Sequence, residues 1–531
     1  MRKSALLFIL LILFAACEDV FHEEETSVGK IDSYDELISA TNGVYGKLAE
    51  AFNCSGGVGF YNPNIKGDDL LSNFPGYNNY YYNYNCLPTS GRPDLYYDHT
   101  GDNWKYLYSV IVSANNVIGQ YTDTIGIDNK TKEILGESCL IRAYCYFRLT
   151  RTYGEIPLID NIEIDYQAQK SSFPEIYRFI ENDLKKAMDY LPANNDQARI
   201  PYVTPHRGVA KAMLAELYLS WAGYPVRDES KYELASLQAG QVIDSADFFG
   251  FGLVDDFAHL WDKDFYYNEE SVLTLYFADP AYSSIIEEIN FVYNGIILIS
   301  STHGNYDNPY YLEGILFRFY CTEKNFFNAY PKGYRKEITF YTTVYVPNNF
   351  YPEVDTGFIT IDSVKKCGAF AFRKFYYEPS VVPTTQYYSY ESSDLYLGNS
   401  KAYLFRYAHT LLTYAEATAR SEQLNEKAYE CVNMIRRRAH NAVLHTPSVY
   451  DLQPSLSPEV FADSVVWERA WELAGEPEGR WFDLVRLEMV EELPDLRDPD
   501  EGGFPEDAVT KEDYFSPVPA EDILLNPELG E

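Results

Sequence analysis

Glu468, Arg469, Glu472, Arg480, Asp483 and Arg486 crowd into the stretch WERAWELAGEPEGRWFDLVRL, from Trp467 to Leu487. Paired carboxylates and guanidiniums can serve general acid/base catalysis or ion pairing that locks elements together. The surroundings favour the second. Trp467, Trp471, Leu473, Trp481, Phe482, Leu484 and Val485 make the stretch apolar, and an Arg fork tolerates partial burial against a carboxylate better than Lys does. Nothing nearby supplies a nucleophile, a His or a metal constellation, so these six residues read as a structural ion network. Arg480 is expected to pair with Asp483, Glu468 or Glu472. Steps of three or four residues put such groups on adjoining positions of a helix surface, so a helix through Glu472 and a second from Arg480 must hold them, parted by the Gly475-Glu476-Pro477 break.

A second chemistry is binding without reaction. The chain has 49 Tyr, 31 Phe and 6 Trp. Phe74, Tyr77, Asn78, Asn79, Tyr80, Tyr82 and Tyr84 lie in FPGYNNYYYNYN, and Tyr306, Tyr310 and Tyr311 in NYDNPYY. The axial C–H face of a pyranose packs on an aromatic ring, while amides and tyrosine hydroxyls satisfy sugar hydroxyls as donors and acceptors. If residues 80–85 are extended, Tyr80, Tyr82 and Tyr84 share one face. These ten residues are the candidate ligand-binding set.

The scaffold reads as mainly α. Apolar periodicity marks helices over 33–52, 102–120, 132–153, 174–190, 205–222, 232–243, 403–420 and 426–439. Ser33 and Ser457-Pro458 are start signals, and Gly154 with Pro157 is a stop. Helix pairs near the 34-residue scale predict a tetratricopeptide-like helical-pair superhelix, with an irregular bundle as the alternative. Residues 249–402 change texture: SVLTLYF and GIILIS read as short strands among long loops. The organisation is then 1–16 export signal, 17–30 acidic tether, 31–248 N-terminal helical region, 249–402 loop-rich segment and 403–531 C-terminal helical region.

ERAWEL followed by EGRWFDLVR resembles the C-terminal signature of the SusD/RagB family. Three further stretches resemble family motifs: the Arg-Ala-x-x-Tyr-Phe helix with its Tyr-Gly-x-x-Pro-Leu exit (142–158), Tyr-Ala-Glu-Ala (414–417), and the tail YFSPVPAEDILLNPEL. The link between Gly475 and Gly479 departs from the commonest form and marks a variant subgroup. The resemblance implies a non-catalytic nutrient-binding lipoprotein, with an oligosaccharide or peptide as ligand and a SusC-like TonB-dependent transporter as partner. A structural surface or adhesion subunit is the reading from another class. Phe14-Ala15-Ala16-Cys17 looks like a bacterial lipobox behind a basic start and a short apolar run, which implies that Cys17 is lipidated and the chain held on the outer membrane at the cell surface.

Composition narrows the partners. A formal charge of −36 disfavours nucleic acid, whose phosphates need Lys and Arg. The eight His show no ligand spacing, and HExxH and GxSxG are absent, so no cofactor, metal or enzymatic activity is expected. The cysteines beyond Cys17 are odd in number and read mostly as small buried hydrophobes.

Overall fold

This computed structural model describes residues 30–52, 67–73, 93–121, 127–162, 165, 167–276, 298–299, 316–340, 343–346, 357–360, 374, 401–498 and 509–530. Cys17 and the candidate segments 74–85 and 306–311 lie outside the described residues.

Among the described residues, the N-terminal region contributes six long helices: α1 Tyr34–Phe52, α2 Pro93–Gln120, α3 Asn129–Tyr153, α4 Phe173–Tyr190, α5 Arg207–Ala222 and α6 Ser230–Asp244. Their ends follow local chemistry. Ser33 Oγ accepts from the Glu36 amide at 3.2 Å while the Glu36 carboxylate accepts from the Ser33 amide at 3.1 Å, which satisfies two otherwise orphaned donors. Asp128 caps α3 through the Thr131 amide at 2.8 Å, and Gly154, at φ +81°, ends it in a backbone state that suits glycine.

Each helix packs on the next, α1 on α2 and so on through α6, and α6 then packs on a C-terminal helix, Tyr407–Arg420. Stacking neighbours in chain order is the architecture of a tetratricopeptide-like superhelix. The middle helices are buried nearly all round: Ala210, Ala212 and Ala215 of α5 lie inside with Leu214 and Leu217, and small side chains let the axes approach. One apolar cluster runs from Leu37 and Val44 of α1 through α5 to Leu411, Val432 and Val465, so both helical regions share a core. Cys139, Cys145 and Cys431 are buried free thiols within it.

The middle of the chain supplies short strands: β1 Leu70–Asn73, β2 Ser271–Tyr276, β3 Leu298–Ile299, β4 Leu316–Thr322, β5 Thr343–Val346, β6 Gly357–Thr360 and β7 Lys401–Arg406. They form a β1–β4–β3 sheet and the pairs β2–β7 and β5–β6, all antiparallel. Two short helices, α7 Lys324–Ala329 and α8 Tyr334–Thr339, follow β4; then come α9 Tyr407–Arg420, α10 Glu426–Ala439, α11 Pro458–Glu472 and α12 Arg480–Arg486, with the short helices Leu493–Leu496 and Ala520–Leu525 after them.

Two boundaries differ from the sequence reading by more than three residues. The helix expected from 403 begins at Tyr407, because Lys401–Arg406 is β7, paired along β2 from Ser271↔Arg406 to Tyr276↔Lys401. All six of its residues are buried, so neither face carries the polar alternation that marks a strand. The helix expected from 102 begins at Pro93, where a proline is tolerated because the first-turn amide lacks an intrahelical partner.

Candidate functional site

The charged stretch of α11 and α12 lies at the centre of a buried ion network that ties the strands to the helices. Glu472 is enclosed. Its carboxylate accepts from Arg406 at 2.9 Å, Arg438 at 2.8 Å and Arg335 at 2.8 Å. Burial alone would raise its pKa, but the guanidiniums of Arg438, Arg406 and Arg335 hold it at about 2. Glu468, one turn earlier, takes Arg335 at 2.7 Å and Arg436 at 3.1 Å.

On the opposite side Arg469 reaches Glu216 of α5 at 2.8 Å and Asp483 at 3.2 Å. Asp483 accepts from Arg486 at 2.8 Å, and Arg486 forks onto Glu416 of α9 with both bonds at 2.6 Å. Against the cost of burial, Arg469 and Arg486 bring the Asp483 carboxyl down to about 2. Glu472 and Asp483 are each held by more than one guanidinium, so their charges are used in joining the elements of the scaffold.

Arg480 corrects the expected pairing. It does not bond Asp483, Glu468 or Glu472, whose oxygens are taken by other arginines. It forks onto Asp68 at 2.8 and 3.1 Å and lies over the Trp467 ring, 4.5 Å from its centroid. The link between α11 and α12 is itself part of the network, not only a break. Gly475, at φ +73°, points its amide at Asp69 (3.4 Å). Glu476 accepts from Arg406 and Lys374, and Glu478 takes Arg148, Arg151 and the Tyr144 hydroxyl. Asp68, Glu216, Arg406, Glu416, Arg438, Glu476 and Glu478 escaped the sequence reading, as did Glu270, which pairs with Arg406 and Arg438. The usable signal was present in part, since each is a charged residue beside an apolar run.

Asp68 and Asp69 stand immediately before β1, and their surroundings fix where that strand leaves the scaffold. Arg497 donates to the Gly67 carbonyl at 3.0 Å, while the Asp69 carbonyl accepts from the Glu323 amide and the Thr322 hydroxyl. β1 then pairs with β4 from Leu70↔Thr322 to Asn73↔Arg318. Because the pairing is antiparallel, Asn73 and Leu316 are at the same end of the sheet. In the sequence Asn73 is followed by Phe74, and Leu316 comes five residues after Tyr311. Elsewhere among the described residues, the crevice between Arg151, Tyr177, Tyr224 and Phe482 has room for about one water and none for a sugar ring.

Comparison with known proteins agrees with this geometry. Residues 320–530 match the SusD family model, and residues 58–219 match a model described as "Starch-binding associating with outer membrane". SusD-like protein P2 of Formosa agariphila is 24% identical over 437 residues, spanning 80% of this chain and 78% of that protein. The crystal structure of a SusD homolog from Bacteroides thetaiotaomicron superimposes with a TM-score of 0.71 at 23% identity, over 96% of this chain and 98% of that one. Surface glycan-binding protein A from Bacteroides fluxus gives 0.64 at 20% identity, over 93% and 96%. Two family models that between them take in both helical regions, with a common fold across nearly the whole chain, make this protein a member of the SusD/RagB family, whose members are non-catalytic binding proteins.

Proposed function

We propose that this chain is a lipid-anchored protein of the outer-membrane surface that captures an oligosaccharide and passes it to a SusC-like TonB-dependent transporter. Phe74, Tyr77, Asn78, Asn79, Tyr80, Tyr82 and Tyr84 form one wall of the site, and Tyr306, Tyr310 and Tyr311 the facing wall. One observation carries the reading: the antiparallel register Asn73↔Arg318 puts the strand ends Asn73 and Leu316, near which these two segments lie in the sequence, at one end of one sheet. The description of the model matched by residues 58–219, which include the first segment, supports a glycan as cargo. The ion network supports it indirectly, since a weakly binding, open platform depends on pre-set geometry to limit the entropy lost on capture.

Calorimetry of the soluble chain from residue 18 against neutral oligosaccharides tests the capture step. Binding without release of shorter products is the expected result. Absence of binding across the panel, or appearance of hydrolysis products, contradicts it. Purification from native membrane tests the partner: a β-barrel transporter co-elutes, and its absence counts against the delivery step.

A further inference from the structure

The turn that leads into β2 exposes aromatic rings that the scaffold holds firmly. Phe265 is 40% exposed and Tyr267 51%. His259 lies flat against Phe265, with ring centroids 3.6 Å apart and planes 10° from parallel. Tyr266, Tyr267 and Tyr276 pack on one another with centroids 4.9, 5.1 and 5.0 Å apart. The backbone beneath is pinned by buried polar groups: Lys401 Nζ donates to the carbonyls of Phe265 at 3.0 Å and Tyr266 at 2.9 Å, and Asn268 Nδ2 donates to the Phe265 carbonyl at 3.1 Å and the Tyr403 hydroxyl at 2.8 Å. A buried lysine spent on bracing a turn whose rings face water is costly for folding. It is economical for binding, because the rings are ordered before a ligand arrives.

We propose that Phe265 and Tyr267 form a second carbohydrate platform, which takes a neutral pyranose chain laid flat across the rings. The proposal rests on the glycan-binding reading and adds a separate surface to it, hung from the β2–β7 pair and not from the β1–β4 sheet. Ring geometry selects the ligand. An aromatic cage for a cation needs a gap between its walls, and the three tyrosines touch one another and leave none. The tyrosine rings are tilted to one another by 44 to 78°, and Tyr267 is the exposed one, so its free face and that of Phe265 are what a ligand meets, each matching the C–H face of a sugar ring. Charge narrows the sugar. Exposed Asp264 and Glu269 flank the rings in the chain, on a protein of net charge −36, so uronates and sulfated sugars are disfavoured.

Calorimetry on the soluble chain with maltohexaose, laminarihexaose, xylohexaose, mannohexaose and hexagalacturonate decides the matter. For a neutral hexasaccharide bound by the natural protein, Phe265→Ala with Tyr267→Ala, made in a Tyr80→Ala, Tyr82→Ala background that leaves this platform as the site read, lowers affinity on the order of tenfold. Tyr267→Trp, which keeps a stacking face, retains it, and the hexagalacturonate binds none of the three. Unchanged affinity in the double variant, with the natural protein binding, overturns the platform alone. Failure of the natural protein to bind any neutral hexasaccharide overturns both the platform and the wider glycan reading. Tyr267→Ser, read on its own beside a melting curve, keeps the test decisive should the double variant fold poorly: affinity lost at unchanged stability supports the platform, and affinity retained overturns it.

Discussion

Arg480 and Asp68 are 412 residues apart in sequence and form a two-bonded ion pair, at 2.8 and 3.1 Å, with both side chains buried. The pair joins the first turn of α12 to the residues just before β1, and so connects the end of the chain to the root of an aromatic segment near its start.

Breaking one side of this pair strands a buried charge. Arg480→Ala is expected to lower stability by about 3 to 5 kcal/mol, as is usual when one partner of a buried ion pair is removed. Chemical denaturation of the variant measures this. Joint replacement of Arg480 by Met and Asp68 by Leu should recover much of the loss, since neither charge is then left alone. Glycan affinity should fall in Arg480→Ala more than in a variant of equal instability remote from β1, because the root of the 74–85 segment has lost its clamp.

Stability should depend on pH in opposite senses on two sides of about pH 4. Burial, with the neighbouring Asp68 carboxylate, pushes the Asp69 carboxyl up to about 7. The folded chain therefore keeps a proton that the unfolded chain gives up near 3.8, and stability falls as pH rises between about 4 and 7, with a limiting slope of about 1.4 kcal/mol per pH unit for this group. Asp69→Asn should make that slope shallower. Glu472 and Asp483, held at about 2, act the other way: their contribution is present above the ordinary carboxylate range and is lost as pH falls towards 2. Urea unfolding at a series of pH values checks both limbs, and an unchanged slope in Asp69→Asn contradicts the first.

Cys17→Ala should leave a folded protein that no longer sediments with membranes. The resemblance of Phe14 to Cys17 to a lipobox motivates this, and several acyl chains are needed because one chain anchors only marginally. Fractionation in cells lacking the transporter is the check, since the partner could otherwise retain the variant. A variant still in the membrane fraction contradicts the anchor.

Helix existence was legible where local chemistry decided it. Ser457-Pro458 opens α11 as read, with Ser457 Oγ accepting from the Val460 amide at 3.3 Å, and Gly154 closes α3. Leu37, Thr41, Val44 and Leu48 of α1 are buried, at the three- and four-residue steps of one helix face. What escaped depended on contacts remote in sequence. β7 was taken for the start of a helix because burial on both faces removes the alternation that identifies strands. That Glu468, Arg469, Glu472, Asp483 and Arg486 carry ion pairs was visible in their crowding, yet the partner of Arg480 was not, because Asp68 comes from the far end of the chain. Lys401 and Phe265 similarly meet only because β7 pairs with β2. The ring-rich segments stand out in the sequence by composition, and the register of β1 on β4 concerns only the strand ends Asn73 and Leu316.

The central claim is that the Phe74 to Asn85 segment captures glycan. Its most direct test is calorimetry on Tyr80→Ala with Tyr82→Ala, paired with a melting curve of the same protein. Affinity for the bound oligosaccharide should fall on the order of tenfold while stability changes by less than about 0.5 kcal/mol, since rings that face solvent add little to folding. Unchanged affinity, or a large drop in melting temperature, would show that these rings belong to the core and that the ligand is held elsewhere.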